Sequence, residues 1–157
     1  MGRFQRFVLE VLAVIGILSI ILTVAVAEYK EKNPYGSDID ILARNIYFEA
    51  RDSSVEDQIA VGLTVLNRVH SDKYPNTIAE VVYQPRQYSW TLEYGLPADN
   101  ETYRKVMALA KMIIGNYEVL KRDDVCMHYT NNDDYGPNHW TKKFKKKTKI
   151  GKHWFYC

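Results

Sequence analysis

One acid in this chain stands in an apolar setting. Glu49 lies in Ile46-Tyr47-Phe48-Glu49-Ala50-Arg51, a run patterned as helix. With an aromatic neighbour on each side of the helix, a carboxylate there is poorly solvated. Desolvation disfavours the charged form and raises the pKa. A carboxylic acid that stays protonated near neutral pH can donate a proton to a glycosidic oxygen. The alternative is an exposed helix glutamate beside a solvated Arg51, the commoner situation for this residue type.

Other residues could serve such a site. Gln87, Tyr88, Ser89 and Trp90 form a polar, aromatic loop segment. They offer amide and hydroxyl hydrogen bonds and an indole platform for a sugar ring, unless the loop packs with Trp90 in the core. His128 and Tyr129 sit at the end of a strand-like segment, where a cleft can open, or they make structural hydrogen bonds. Metal chemistry is poorly supported. His70, His128, His139 and His153 are scattered, with no His-Glu-x-x-His run or other tight spacing. No cofactor and no metal are expected.

The elements that must position these residues can be read from caps and periodicity. Ser37-Asp38-Ile39-Asp40 starts a helix, and Ile39, Leu42, Ala43, Ile46 and Ala50 give it one apolar face. Ser53-Ser54-Val55-Glu56 caps a second helix running to about Val69, whose Asn67 and Arg68 are expected to cap and brace it. The turn from Arg51 to Ser54 is short, so the two helices pack as a hairpin. Thr77 and Glu80 cap a third helix ending at Tyr83, before Pro85. Gln84 to Gly95 reads as a loop, and Asn100 caps a fourth helix to about Leu120. Val125 to Thr130 reads as a strand. Lys147–Ile150 and His153–Tyr156 flank Gly151-Lys152 as a β-hairpin, with a loop from Asn131 to Asn138 before it.

The first residues are of another kind. Arg3 and Arg6 precede an uncharged run from Val11 to Ala27 rich in Ile, Leu and Val. It is long for a signal-peptide core and slightly short for a spanning helix, and Ala25-Val26-Ala27 reads as a small-x-small cleavage site. Residues 1–27 are thus a signal peptide or a membrane anchor, with the arginines favouring an N-in, C-out orientation. Residues 28–36 form a linker, and residues 37–157 form one domain. Either fate of the N-terminus exports that domain, to the periplasm or the cell exterior. Cys126 and Cys157 suit an oxidising compartment and form a disulfide if their strands are neighbours.

The formal net charge of +2 names no partner, but its distribution is uneven. From Gly136 to Cys157 there is no acid, while Lys142, Lys143, Lys145, Lys146, Lys147, Lys149 and Lys152 are cationic. Such a face could approach an anionic polymer.

Leu42-Ala43-Arg44-Asn45-Ile46-Tyr47-Phe48-Glu49-Ala50-Arg51 resembles the Leu-Ala-x-x-x-Tyr-x-Glu-Ala-Arg signature of the spore-cortex-lytic, SleB-type cell-wall hydrolase family. Further blocks follow in that family's order: Gln58-Ile59-Ala60-Val61 with Val65-Leu66-Asn67-Arg68-Val69, then Tyr74-Pro75-Asn76-Thr77-Ile78, Val81-Val82-Tyr83-Gln84-Pro85 and Gln87-Tyr88-Ser89-Trp90. His128-Tyr129 and Ile150-Gly151-Lys152-His153-Trp154-Phe155-Tyr156 close the match, which covers about residues 38 to 156. Asp52-Ser53 stands where the family often has Gly-Glu, and wall-binding repeats are absent.

The resemblance implies an α+β, mostly helical lysozyme-like domain with a small C-terminal antiparallel sheet. It implies a peptidoglycan glycosidase that cuts between N-acetylmuramic acid and N-acetylglucosamine, with Glu49 as the acid of a lytic transglycosylase. Gln87, Tyr88, Ser89, Trp90, His128 and Tyr129 would contact substrate. A muramidase-type hydrolase would need a second carboxylate, for which Asp52, Glu56 and Glu93 are candidates. A non-catalytic, membrane-anchored wall-binding protein using the lysines is a further alternative, as is a zinc peptidase or amidase acting on the wall's peptides. Nucleic acid is not an expected partner of an exported chain, and the chain is expected to act as a monomer.

Overall fold

The computed structural model describes residues 2–32, 36–93, 95, 97, 100–132, 136 and 139–157. The chain divides into two compact units, residues 1–36 and 37–157. Among its described residues the first holds one helix, α1 (Arg3–Lys32). Its stretch from Arg3 to Glu28 is 26 residues long with a mean hydropathy of 2.7. At ~1.5 Å per residue it is about 39 Å long, enough for the ~30 Å hydrocarbon layer of a bilayer.

The second unit is built around α2 (Asp38–Ala50), which packs against α3 (Val55–Val69), α4 (Ile78–Val82) and α6 (Glu101–Gly115). Its centrality follows from its sequence. Ile41, Leu42, Ala43, Asn45, Ile46 and Ala50 are all buried, so more than one stripe of this helix is covered. Fully burying an Ile, Leu or Val contributes roughly 1.5–3 kcal/mol each, so α2 is anchored along its length. Three of the four caps lie where the sequence puts them, and the second shifts by one residue, from Ser53 to Ser54. Ser37, Ser54, Thr77 and Asn100 each accept a hydrogen bond from the backbone N–H three residues on.

Four local features differ from the sequence reading. The helix expected to reach Leu120 breaks at Asn116 (φ −127°), and α7 (Tyr117–Leu120) follows as a separate turn. The loop after Gln84 contains a short helix, α5 (Trp90–Glu93). The strand β1 covers only His128–Thr130, because the backbone carbonyls of Val125, Cys126 and Met127 are taken by side chains of α3. A 3-10 helix over Trp140–Lys143 follows the loop, of which residues 133–135, 137 and 138 lie outside the described residues.

β2 (Lys147–Ile150) and β3 (His153–Tyr156) form the expected hairpin. The sheet is antiparallel in the order β1-β3-β2, with Tyr129 opposite Phe155 and His128 opposite Tyr156. Since side chains alternate across a strand, Tyr129, His153 and Phe155 share one face, and their rings touch. That face meets the helical core, where Phe155 is fully buried. His128 and Tyr156 lie on the other face, beneath Trp140 and Phe144. A disulfide joins Cys126 to Cys157, tying the last residue to the lead-in of β1.

Candidate active site

Glu49 lies in the last turn of α2, half-buried, in a cleft of about 350 Å³ that Phe48, Tyr129, Thr130, Asn131 and His153 also line. The Tyr129 hydroxyl donates to Glu49 Oε2 at 3.1 Å. Burial pushes the Glu49 carboxyl above its ordinary range. The Tyr129 hydrogen bond and the charges of His153 and Arg68 oppose this without cancelling it.

The aromatic surroundings differ in origin from the sequence expectation. Phe48 lines the cleft and is stacked on Trp90 with ring centroids 5.1 Å apart. Tyr47 turns away to pack edge-on against Tyr103. The second ring at the carboxyl is Tyr129, brought by the sheet from 80 residues along the chain. Arg51 does not pair with Glu49. It sits over the Tyr47 ring at 5.0 Å and reaches Asp52 at 3.7 Å.

Two of the three carboxylates considered as a second catalytic group are elsewhere. Asp52 is 78% exposed beside Arg51, and Glu56 pairs with Arg122 at 2.8 Å. The Glu93 side chain lies outside the described residues. Among the described residues lining the cleft, Glu49 is the one carboxylate.

A buried acid that sequence reasoning passed over stands behind the cleft. Asp57, fully buried, accepts from His153 Nδ1 at 2.8 Å and from the Lys152 backbone N–H at 2.9 Å. Its carboxyl is held below the ordinary range by these bonds, against the opposing effect of burial. A carboxylate only accepts, so the His153 proton is on Nδ1, and Nε2 is an acceptor when the ring is neutral. A partial signal for Asp57 is present in its position. Asp57 occupies the third helical position after Ser54, where a capping-box acid would turn back to the cap. Instead its side chain reaches the β2–β3 turn.

The remaining expected site residues separate into two groups. Gln87, His128 and Tyr129 line a second cavity of about 500 Å³, on which Arg68 also borders. His128 has its pKa lowered by burial and by the charge of Arg68, and its Nε2 is 3.4 Å from the Tyr74 hydroxyl. Ser89 is exposed and lines neither cavity. Tyr88 and Trp90 are each 4% exposed, so neither offers a face to a ligand. The Trp90 indole N–H donates to Asn45 Oδ1 at 3.1 Å, and its ring supports Phe48. Tyr88 receives Arg68 Nη1 at 3.1 Å and interacts with Tyr129. Both buried aromatics stand behind residues that line the cleft.

Asn67 and Arg68 brace rather than cap. Asn67 Nδ2 donates to the Val125 and Cys126 carbonyls, and Arg68 Nε donates to the Met127 carbonyl at 2.7 Å. The C-cap of α3 is His70. No group of three or more metal-ligating side chains is assembled among the described residues.

The sequence profile of the cell wall hydrolase family matches residues 52–156. The chain belongs to this family. Glu49 precedes the matched range. The spore cortex-lytic enzyme of Bacillus subtilis (strain 168) is 28% identical over 120 residues, covering 76% of this chain and 37% of that protein. The Bacillus cereus spore cortex-lytic enzyme is 31% identical over 122 residues, covering 76% and 44%. This family member thus spans about two fifths of the length of those relatives.

Two solved structures are similar along most of their own length. The catalytic domain of the Bacillus cereus SleB protein aligns with a TM-score of 0.59 at 31% identity, covering 76% of this chain and 89% of that one. The catalytic domain of the germination-specific lytic transglycosylase SleB from Bacillus anthracis aligns with a TM-score of 0.60 at 30% identity, covering 80% and 98%. The mostly helical α+β fold with a small antiparallel sheet is that of SleB-type domains.

Proposed function

We propose that this cell wall hydrolase cleaves peptidoglycan glycan strands between N-acetylmuramic acid and N-acetylglucosamine as a lytic transglycosylase, with Glu49 as its single acid and base. The observation that carries the proposal is the desolvated Glu49 carboxyl in a cleft whose described lining holds no other carboxylate. The relatives named above as cortex-lytic enzymes, and as a lytic transglycosylase, support the same reading.

The protonated Glu49 donates to the glycosidic oxygen, and the bond from the muramoyl anomeric carbon to that oxygen breaks. The resulting carboxylate then takes the proton of the muramoyl 6-hydroxyl, whose oxygen attacks the anomeric carbon and closes a 1,6-anhydro ring. Glu49 ends as it began, and no water is consumed. The raised pKa favours the first step, and the Tyr129 hydrogen bond stabilises the carboxylate between the steps. Gln87, His128 and Tyr129 are the expected substrate contacts that border open space.

The chain would act outside the cytoplasm, as the cell wall substrate requires. The apolar stretch of α1 would serve as export signal or as inner-membrane anchor with its arginines inside.

The test is mass spectrometry of the fragments formed when the full chain, in detergent, digests purified peptidoglycan. Anhydromuramoyl ends are expected. Reducing muramoyl ends would mean hydrolysis by the same family. Intact glycan from a folded protein would leave a wall-binding role for the lysine-rich face.

A further inference from the structure

Across Tyr129 from the Glu49 cleft lies the second cavity, and its far wall comes from the 3-10 segment. Trp140, Lys143 and Phe144 supply that wall. The two rings are held in place. Trp140 packs edge-on against Tyr156 at 5.4 Å, and Phe144 lies 4.9 Å from the His128 ring. Trp140 is nevertheless only half-buried, so part of it faces the cavity.

The charge of this wall is one-sided. None of the described residues lining the cavity is acidic, and Arg68 and Lys143 are cationic. Arg68 is occupied by the Met127 carbonyl and the Tyr88 hydroxyl. Lys143 is exposed, and among the described residues it has no ion-pair partner. Other lysines of the same cluster are already engaged. Lys146 donates to the Asp123 carbonyl, and Lys149 lies over the Trp154 ring. Lys142 and Lys145 line a neighbouring depression that shares Phe144, so the positive field extends past the cavity mouth.

A glycan strand whose lactyl groups are all in amide linkage carries no charge of its own. The acidic groups of peptidoglycan near the scissile bond are the carboxylates of the peptide stems, attached to the muramoyl lactyl group. We infer that the Trp140–Lys143–Phe144 cavity is a subsite for the acidic peptide stem of the muramoyl residue, with Lys143 facing a stem carboxylate and the two rings covering its apolar part. This rests on the peptidoglycan reading given above. It makes the enzyme's selectivity a matter of the stem as well as of the glycan.

The experiment uses the full chain and two substrates. One is stem-bearing glycan strands. The other is the same strands stripped of peptide by an amidase, which leaves a lactyl carboxylate on each muramoyl residue but no stem. The wild type, Lys143→Glu, Lys143→Ala and the neighbouring Lys142→Ala are compared by the ratio of kcat/KM on the two substrates. Lys143→Glu should lower the stem-bearing to peptide-free ratio by about tenfold through KM, with Lys143→Ala intermediate and Lys142→Ala leaving the ratio as it is. The effect should shrink as salt is raised, since the contact is exposed. A ratio unmoved by Lys143→Glu, or equal losses on both substrates, would overturn the subsite. Cleavage of neither substrate by the wild type would instead remove the glycosidase reading itself.

Discussion

The Tyr129 hydroxyl donates to Glu49 Oε2 at 3.1 Å, so the first strand of the C-terminal sheet is bonded directly to the acid on the central helix. This bond favours the charged carboxylate, while burial, the larger effect, favours the neutral acid. The balance leaves an acid with a raised pKa that can still carry negative charge for part of a catalytic cycle.

Replacing Tyr129 with Phe removes the stabilising bond and keeps the ring. The pKa of Glu49 should then rise further. Activity that needs the protonated acid is lost as pH rises through that pKa, so the alkaline limb of the kcat/KM profile should move to higher pH. A limb that moves down, or stays in place, would contradict the assignment of the bond. The lost hydrogen bond should also lower stability by about 0.5–1.5 kcal/mol.

Glu49 should be a liability for stability. Its folded pKa is raised, so above the ordinary carboxyl pKa the unfolded chain ionises more readily than the native one. The penalty is absent below that pKa, grows as pH rises to the folded value, and is constant beyond it. Glu49→Gln should therefore be more stable than the wild type at neutral pH, and the advantage should vanish in acid. Denaturant unfolding of both proteins across pH would show it. Equal stability at neutral pH would mean the carboxyl is not desolvated.

Asp57 has the opposite sign. Its folded pKa is lowered, so its contribution is present above the ordinary carboxyl pKa and is lost as pH falls through the folded value. Asp57→Ala strands a buried imidazole and a turn N–H, and should cost about 3–5 kcal/mol at neutral pH and less in strong acid. Urea titrations at several pH values measure this, and a difference independent of pH would count against the Asp57–His153 pair.

The β2–β3 turn is built for that pair. Gly151 has φ +57°, and a Cβ there would stand 2.6 Å from Asp57 Oδ2. Gly151→Ala should therefore cost more than the ~1–2 kcal/mol of a left-handed non-glycine residue, because it also displaces the carboxylate. A melting temperature close to the wild-type value would show that the turn can relax.

The helices were legible because their caps and apolar periodicity are local. Ser37, Thr77 and Asn100 each announce a start within four residues, and the Ser53–Glu56 box does so to within one residue of the actual cap, Ser54. The break at Asn116 was not legible, since Tyr117 continues the apolar stripe and its role is to donate to Asn67, 50 residues away. The poor solvation of Glu49 was legible from its own neighbourhood. Its partner was named only as a substrate contact, because register between β1 and α2 is a tertiary fact. Asp57 was missed for the same reason, as His153 lies 96 residues along the chain. Trp90 was expected to face a sugar. Asn45 on α2 satisfies its indole N–H inside the core, and such satisfaction is invisible until the helices are packed.

The most direct measurement is the glycan product analysis of Glu49→Gln beside the wild type, with native folding checked by near-UV circular dichroism. Gln keeps an acceptor for Tyr129 but cannot give up or take a proton, so anhydromuramoyl ends should fall by ~10²–10⁴-fold or more in a protein that remains folded. Wild-type yields of those ends from the variant would contradict the account at its centre.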